Sequence, residues 1–382
     1  MDVRITTIAA ASALLVVSFG TSASAADMQT VKIGLGAPLS GPQARYGKDF
    51  ETGAELAVAE FNATKPEIGG KPVTFVLESL DDQADPKTGV IVAQKLVDDG
   101  VDGMLGDFNS GVAIPASAIF SRAGIPQIST ATAPAYTRQG FKTTYRIMTS
   151  DVQLGSVMGD YVVRTLHAKR IAIIDDRTAY GEGLAEQFES AVKAAGGNLV
   201  DHEFTSDQAV DFRSILTNLK GKQPDFIYYA GTDAQSAPLV KQARALGIPS
   251  QIASGDMSKT DGFIKIAGLA ANGVIVSVGG LPTEKMPGGV AFVKNYKAKF
   301  GSDPDTIAPF SYDAAKALMT AMVKANSSNP ATYLPALQQT DMKGVTSDHL
   351  AFDKYGDRRD AFVTVYKCEN GTWTPLTVLG EK

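Results

Sequence analysis

The side chains able to do covalent or metal chemistry are few and scattered. His167, His202 and His349 lie far apart, and none stands in an HExxH or comparable metal-ligand spacing. The single cysteine, Cys368, has no histidine near it in sequence, and no GxSxG nucleophile elbow occurs. Cys368 reads as a half-buried strand residue, and a lone cysteine forms no internal disulfide. The run Gly34-Leu-Gly36-Ala-Pro-Leu-Ser40 opens like a dinucleotide fingerprint, but Leu39 stands where the third glycine belongs and Pro38 blocks the strand-to-helix turn. No catalytic residue, metal or cofactor is therefore expected.

Binding chemistry is better represented, in loops that follow short apolar runs. In an open α/β sheet a ligand sits beyond the carboxyl ends of the strands, where helix N-termini expose unpaired amides. The loop Asp107-Phe-Asn-Ser-Gly111 offers the Ser110 hydroxyl and a close-approaching Gly111 amide just before a helical run, a combination suited to a carboxylate. Ser129-Thr-Ala-Thr-Ala-Pro134 adds the hydroxyls of Thr130 and Thr132 at the same sheet edge. Farther along, Asp175-Asp-Arg-Thr-Ala-Tyr-Gly-Glu-Gly183 places Tyr180 where it can cover a ligand. Ser254-Gly-Asp256 sets one carboxylate at a strand end, able to pair with an ammonium group. Each has a plainer alternative: Ser110 as a helix cap, Asp256 as a solvated loop acid or cap. Asp81, Asp82 and Asp85 read as a solvated loop with Pro86 starting a helix, and Trp373 as a packing residue.

The elements that must position these loops alternate along the chain. Short strands are expected at 30–35, 72–77, 103–106 and 125–129. Amphipathic helices are expected between them at 49–62, 86–98 and 114–123. The alternation restarts after 150, with helices at 152–166, 183–195, 212–219 and 234–246 and strands at 170–174, 198–204, 226–229 and 251–253. After a strand at 274–278 the chain turns mainly helical, at 290–300, 312–325 and 330–339, before two terminal β runs near 350–352 and 360–367. This is βαβ order, hence two α/β units with mostly parallel sheets. The tail holds too few strands for a third domain, so it divides between the first two and leaves several strands crossing between them.

Residues 1–25 carry Arg4, an uncharged run from 5 to 24 and a terminal Ala23-Ser24-Ala25, the pattern of a secretory signal peptide. A soluble, periplasmic protein is expected. The net charge of −5 is spread over interspersed acids and bases, with no Lys/Arg run of the kind a nucleic acid partner requires.

Several stretches taken in order carry a family likeness: Gly36-Ala-Pro-Leu-Ser-Gly-Pro42 with Tyr46-Gly47, Asp81-Asp-Gln-Ala-Asp-Pro86, Gly106-Asp-Phe-Asn-Ser110, Ile171-Ala-Ile-Ile-Asp175 with Tyr180-Gly-Glu-Gly183, and Asp225-Phe-Ile-Tyr-Tyr229. At these spacings the chain resembles the periplasmic branched-chain amino acid (Leu/Ile/Val) binding proteins, type I solute-binding proteins of ABC transporters, over essentially all of its length after residue 25. The resemblance implies two Rossmann-like lobes joined by a multi-strand hinge, with the ligand cleft between them. The N-terminal lobe would comprise 26–149 plus 280–357, and the C-terminal lobe 150–279 plus 358–382. It implies no enzyme activity, a monomer, and the permease subunits of an ABC importer as partner.

Carried over residue by residue, the family pattern gives Ser110 and Thr132, with backbone groups at Phe108 and Thr130, to the ligand carboxylate. Asp256 takes the ammonium, Tyr180 covers it, and Tyr46, Asn109, Ala131 and Thr232 complete the expected contact set. The departures bear on specificity. Asp256 replaces a longer Glu, Phe108 and Asn109 stand where smaller groups are usual, and the disulfide of some relatives is impossible with Ala84 and Asn109. An aromatic usual near Thr232 is missing, with Asp233 beside it. These changes point from leucine toward a small aliphatic amino acid of the branched-chain, alanine, proline or 4-aminobutyrate type. The alternatives are an aromatic or other carboxylic acid as ligand, or a ligand-sensing co-receptor.

Overall fold

The computed structural model describes residues 1–2 and 28–380, so nearly all of the segment read as a signal peptide lies outside the described residues. Among the described residues no helix is long and apolar enough to cross a membrane.

The first half of the chain runs β1 (Gln29–Ala37), α1 (Ala44–Ala63), β2 (Glu67–Ile68), β3 (Lys71–Asp81), α2 (Pro86–Asp98), β4 (Gly103–Gly106), α3 (Ser110–Ala123), β5 (Gln127–Ser129) and β6 (Thr144–Arg146). Its sheet has the order β2-β3-β1-β4-β5-β6, parallel except for the β2–β3 pair. The second half follows with α4 (Asp151–Asp160), β7 (Ile171–Asp175), α5 (Ala179–Ala194), β8 (Leu199–Phe204), α6 (Arg213–Lys222), β9 (Phe226–Ala230), α7 (Asp233–Ala245), β10 (Gln251–Ser254), α8 (Asp261–Ala267) and β11 (Ile275–Gly279). The strands β7, β9 and β11 are buried at every position, because helices cover both faces of a parallel sheet.

The tail supplies α9 (Gly289–Phe300), α10 (Ala308–Lys324), α11 (Pro330–Gln338), β12 (Asp341–Met342), β13 (Leu350–Ala351), β14 (Phe362–Glu369) and β15 (Thr372–Gly380). Its elements join both sheets. Helix α10 packs on α1 of the first unit, while β14 and β15 extend the second sheet, whose order is β15-β14-β11-β10-β9-β7-β8. The pairs β11–β14 and β14–β15 are antiparallel and the rest of that sheet is parallel. The result is two lobes, each with its own doubly covered sheet. The chain crosses between them after β6, after β11 and before β14.

Several expectations need correction. The strand β15 was not anticipated, because Pro375 interrupts its pattern; the strand lies at the sheet edge, where a missing N–H is tolerated. The helix expected at 152–166 ends as regular α-helix at Asp160 and continues as a π turn, Tyr161–Thr165. Asp82 is not solvated. It is fully buried, its Oδ1 accepts the Ala84 amide at 2.8 Å, and burial pushes its carboxyl up to about 7. Asp85 does cap α2, accepting from the Thr88 amide, with Pro86 at the first helical position. Cys368, expected half-buried, is fully buried on β14 because it packs into the core of the second unit, and Trp373 packs on Phe263 as expected.

Candidate functional site

In each sheet the strand order reverses direction next to the first strand: β1 is flanked by β3 and β4, and β7 by β8 and β9. Both reversals send their following loops into the gap between the lobes, where the connection geometry leaves a crevice at the carboxyl edge. The gap encloses a cavity of about 490 Å³.

The first-lobe wall is built by α3 and the loop after β5. The Asn109–Ser110–Gly111 turn starts α3, so amides of its first turn have no partner within the helix and present a positive end to the cavity. Ser110 Oγ is anchored by accepting the Ala133 amide at 3.2 Å. Thr130 and Thr132 alternate with Ala131 and Ala133, and Arg146 explains why. Its guanidinium is fully buried, donates to the carbonyls of Ala131 and Ala133, and is neutralised by Asp357 at 2.8 Å. With the alanine carbonyls turned to Arg146, Thr130 and Thr132 line the cavity, and Thr130 Oγ1 is left buried without a partner. Asp49 adds one more piece to this wall. Its carboxylate accepts the amides of Asp305, Ile307 and Ala308 at 2.8–2.9 Å, pinning the start of α10 so that Ile307 lines the cavity.

The second-lobe wall is acidic. Tyr180 donates to Asp256 Oδ1 at 2.6 Å, and the Met257 amide adds a bond at 3.1 Å. Gly255 makes this approach possible, since a Cβ there would lie 2.5 Å from the tyrosine oxygen. Burial raises the Asp256 carboxyl above the ordinary carboxylate range. Behind it lies Asp151, the first residue of α4. It is fully buried and accepts no hydrogen bond of good geometry; burial together with the Asp256 charge pushes it up to about 8, only partly offset by the nearby Thr132 hydroxyl and Arg146. The Tyr228 hydroxyl and Ser277 Oγ are also buried, close to one another but in no hydrogen bond of good geometry. Among the described residues no group of acids, histidines or cysteines forms a metal site.

Of the ten residues predicted to contact ligand, Phe108, Asn109, Ser110, Thr130, Thr132, Tyr180, Thr232 and Asp256 line this one cavity. Ala131 does not; it is buried against Ala113 and Tyr136, and its carbonyl is spent on Arg146. Tyr46 stands one layer back, stacked on Phe108 with ring centroids 5.6 Å apart and its hydroxyl directed to Asp233 and Met257 O. Ala84 and Asn109 both line the cavity. Sequence reasoning missed Gln43, Arg177, Asp207, Met148 and Ile307 on the walls. Arg177 lies in a loop already singled out, one position past a strand-end acid pair, and that placement was the available signal. Asp151 was missed because it follows Ser150 in a capping box and so reads as a helix-start acid.

The comparisons with known proteins agree with this fold. The periplasmic binding protein family matches residues 30–371. The Leu/Ile/Val-binding protein homolog 1 of Brucella suis biovar 1 (strain 1330) is 33% identical over 357 residues, covering 93% of this chain and 94% of the relative. Among solved structures, the leucine binding protein LivK of Thermotoga maritima MSB8 is similar with TM-score 0.84 and 26% identity, over 92% of this chain and 99% of the other. LivJ of Streptococcus pneumoniae str. Canada MDR_19A, a branched-chain amino acid transporter substrate binding protein in complex with isoleucine, gives TM-score 0.83 and 28% identity, over 92% and 100%. The chain belongs to the periplasmic binding protein family, in its type I branched-chain amino acid group, and is a solute-binding protein of the ABC-transporter class rather than an enzyme.

Proposed function

We propose that this protein captures a small aliphatic amino acid, of the branched-chain, alanine, proline or 4-aminobutyrate type, in the periplasm and delivers it to the permease of an ABC importer as a monomer. The lobes would be residues 26–149 plus 280–357 and residues 150–279 plus 358–382. The carrying observation is the opposition of the two walls: hydroxyls and a helix N-terminus on one side, Asp256 held by Tyr180 on the other. A zwitterion presents its two charges at a fixed separation, so it satisfies both walls only when the lobes are shut, and closure follows from binding. The isoleucine seen in LivJ supports the amino acid class.

Within that class the wall chemistry favours a compact side chain. Phe108 narrows the apolar end, and the shorter Asp256 draws the ammonium toward the second lobe or takes it through a water. A thermal-shift panel of amino acids tests the reading: alanine, proline, 4-aminobutyrate or valine should raise Tm with concentration, following mass action. Silence across the panel, with stabilisation by benzoate-type acids instead, would transfer the site to an aromatic or other carboxylic acid.

A further inference from the structure

Beside the cavity runs a set of contacts that joins the two lobes through the protein's own side chains. Arg45 and Tyr46 lie on the first turn of α1, in the first lobe, whereas Asp233 opens α7 and Thr260 caps α8, in the second. The Arg45 guanidinium meets Asp233 Oδ2 at 2.8 Å, and the Thr260 hydroxyl donates to the same oxygen at 2.7 Å. The Tyr46 hydroxyl lies 2.9 Å from Asp233 Oδ1 and within reach of the Met257 carbonyl; having one proton, it donates to one of them at a time. Lys259 reaches across to Thr306 Oγ1 at 3.3 Å.

Tyr46 is the point where this set touches the ligand space. Its ring is buried and lies nearly flat against Phe108, at an interplanar angle of 14°, while Phe108 also lines the cavity. The Tyr46 ring also carries the Arg45 guanidinium 4.0 Å above it. The turn that bears both residues has little freedom to yield, because Gly47 sits so close to the Pro38 carbonyl that a Cβ would lie 2.1 Å from it. A ligand side chain that drives Phe108 back therefore drives the Tyr46 ring, and with it the hydroxyl, off Asp233 and Met257.

We propose that Arg45, Tyr46 and Asp233 form an interlobe latch gauged by Phe108, so that closure itself discriminates against side chains bulky enough to displace that ring. The gauge, though not the latch, rests on the reading of the cavity as an amino acid site. The latch favours the closed arrangement before ligand arrives, and apparent affinity scales with the fraction of protein able to close. Two variants separate the parts. Tyr46→Phe keeps the stacked ring and deletes the hydroxyl, and Arg45→Ala deletes the ion pair. Small-angle scattering without ligand should show a larger radius of gyration for both variants than for the wild type. Calorimetry should show Tyr46→Phe losing about tenfold in affinity for alanine, with a smaller alanine-to-leucine affinity ratio; a merely structural role would lower Tm and leave that ratio alone. Scattering curves that superimpose on the wild type for both variants would overturn the latch. A scattering shift with an unchanged ratio would overturn the gauge. If the wild type bound neither amino acid while the scattering shift persisted, the latch would stand and the ligand reading would fall.

Discussion

The first lobe offers the cavity only neutral groups, whereas the second offers carboxyls, Asp176 and Asp256 among them, together with the cation Arg177, which is ion-paired to Glu182 at 3.6 Å. On the first side Ser110, Thr130, Thr132 and the start of α3 make a wall of dipoles. The buried charged groups that support it are turned away from the cavity: Arg146 is neutralised by Asp357, and Asp49 accepts three backbone amides. Such a wall holds its shape without a ligand, because Ser110 is already bonded to the Ala133 amide and the alanine carbonyls to Arg146. On the second side Asp256 has a phenol and an amide as its donors, and Asp151 behind it accepts no hydrogen bond of good geometry, with the Thr132 hydroxyl the nearest donor to act on it. A buried carboxylate without a counter-ion is costly, and the protein answers by raising both carboxyls above their ordinary range. For the amino acid proposed above, the contrast says where it is most needed: its ammonium would relieve the uncompensated burial that the second lobe carries, while its carboxylate would meet a wall that already holds its shape.

The largest effect should therefore come from the acidic wall. Asp256→Ala is expected to weaken amino acid binding at least a hundredfold by calorimetry, since the desolvated ammonium loses its only direct partner. Unchanged binding in that variant would break the comparison outright. Ser110→Ala should cost less, about tenfold, as expected for one hydrogen bond to a charged group in a wall with other donors. If it cost as much as Asp256→Ala, the two walls would be equals.

The smallest and most diagnostic effect concerns pH. Asp151, at about 8 in the folded protein, stays protonated there while the unfolded chain has already lost its proton above about pH 4. Between those values the folded state binds more protons, so this group makes stability fall as pH rises. Thermal melts of the ligand-free protein should accordingly show Tm declining from pH 5 to pH 8, and Asp151→Asn should flatten part of that slope. Saturating ligand should flatten it as well, because a nearby ammonium favours the carboxylates. A slope identical in wild type and Asp151→Asn would remove Asp151 from the acidic wall.

How much of this was legible in the sequence depended on how local the cause was. Helix α2 and strand β4 were read to the residue, because Asp85, Pro86 and a glycine-bounded apolar run mark their ends in the chain itself. The loops after β4, β5, β7 and β10 were found because a parallel sheet sends ligand loops from its carboxyl edge whatever their sequence. Ser110, Thr132, Tyr180 and Asp256 then arrived at one cavity. What stayed hidden was set by contacts between distant segments. Asp82 looks like a solvent acid until the α2–α3 packing buries it. The hydrogen bond of the Tyr46 hydroxyl to Asp233, nearly two hundred residues away, is likewise invisible in the chain. Gln43 and Ile307 reach the cavity from segments that carry no binding pattern of their own.

The most direct test is a crystal structure grown with whichever amino acid gives the strongest thermal shift. The account predicts its carboxylate against Ser110 and Thr132 at the start of α3, and its ammonium against Asp256 beneath Tyr180. A solute seated elsewhere, or one touching a single lobe, would contradict it.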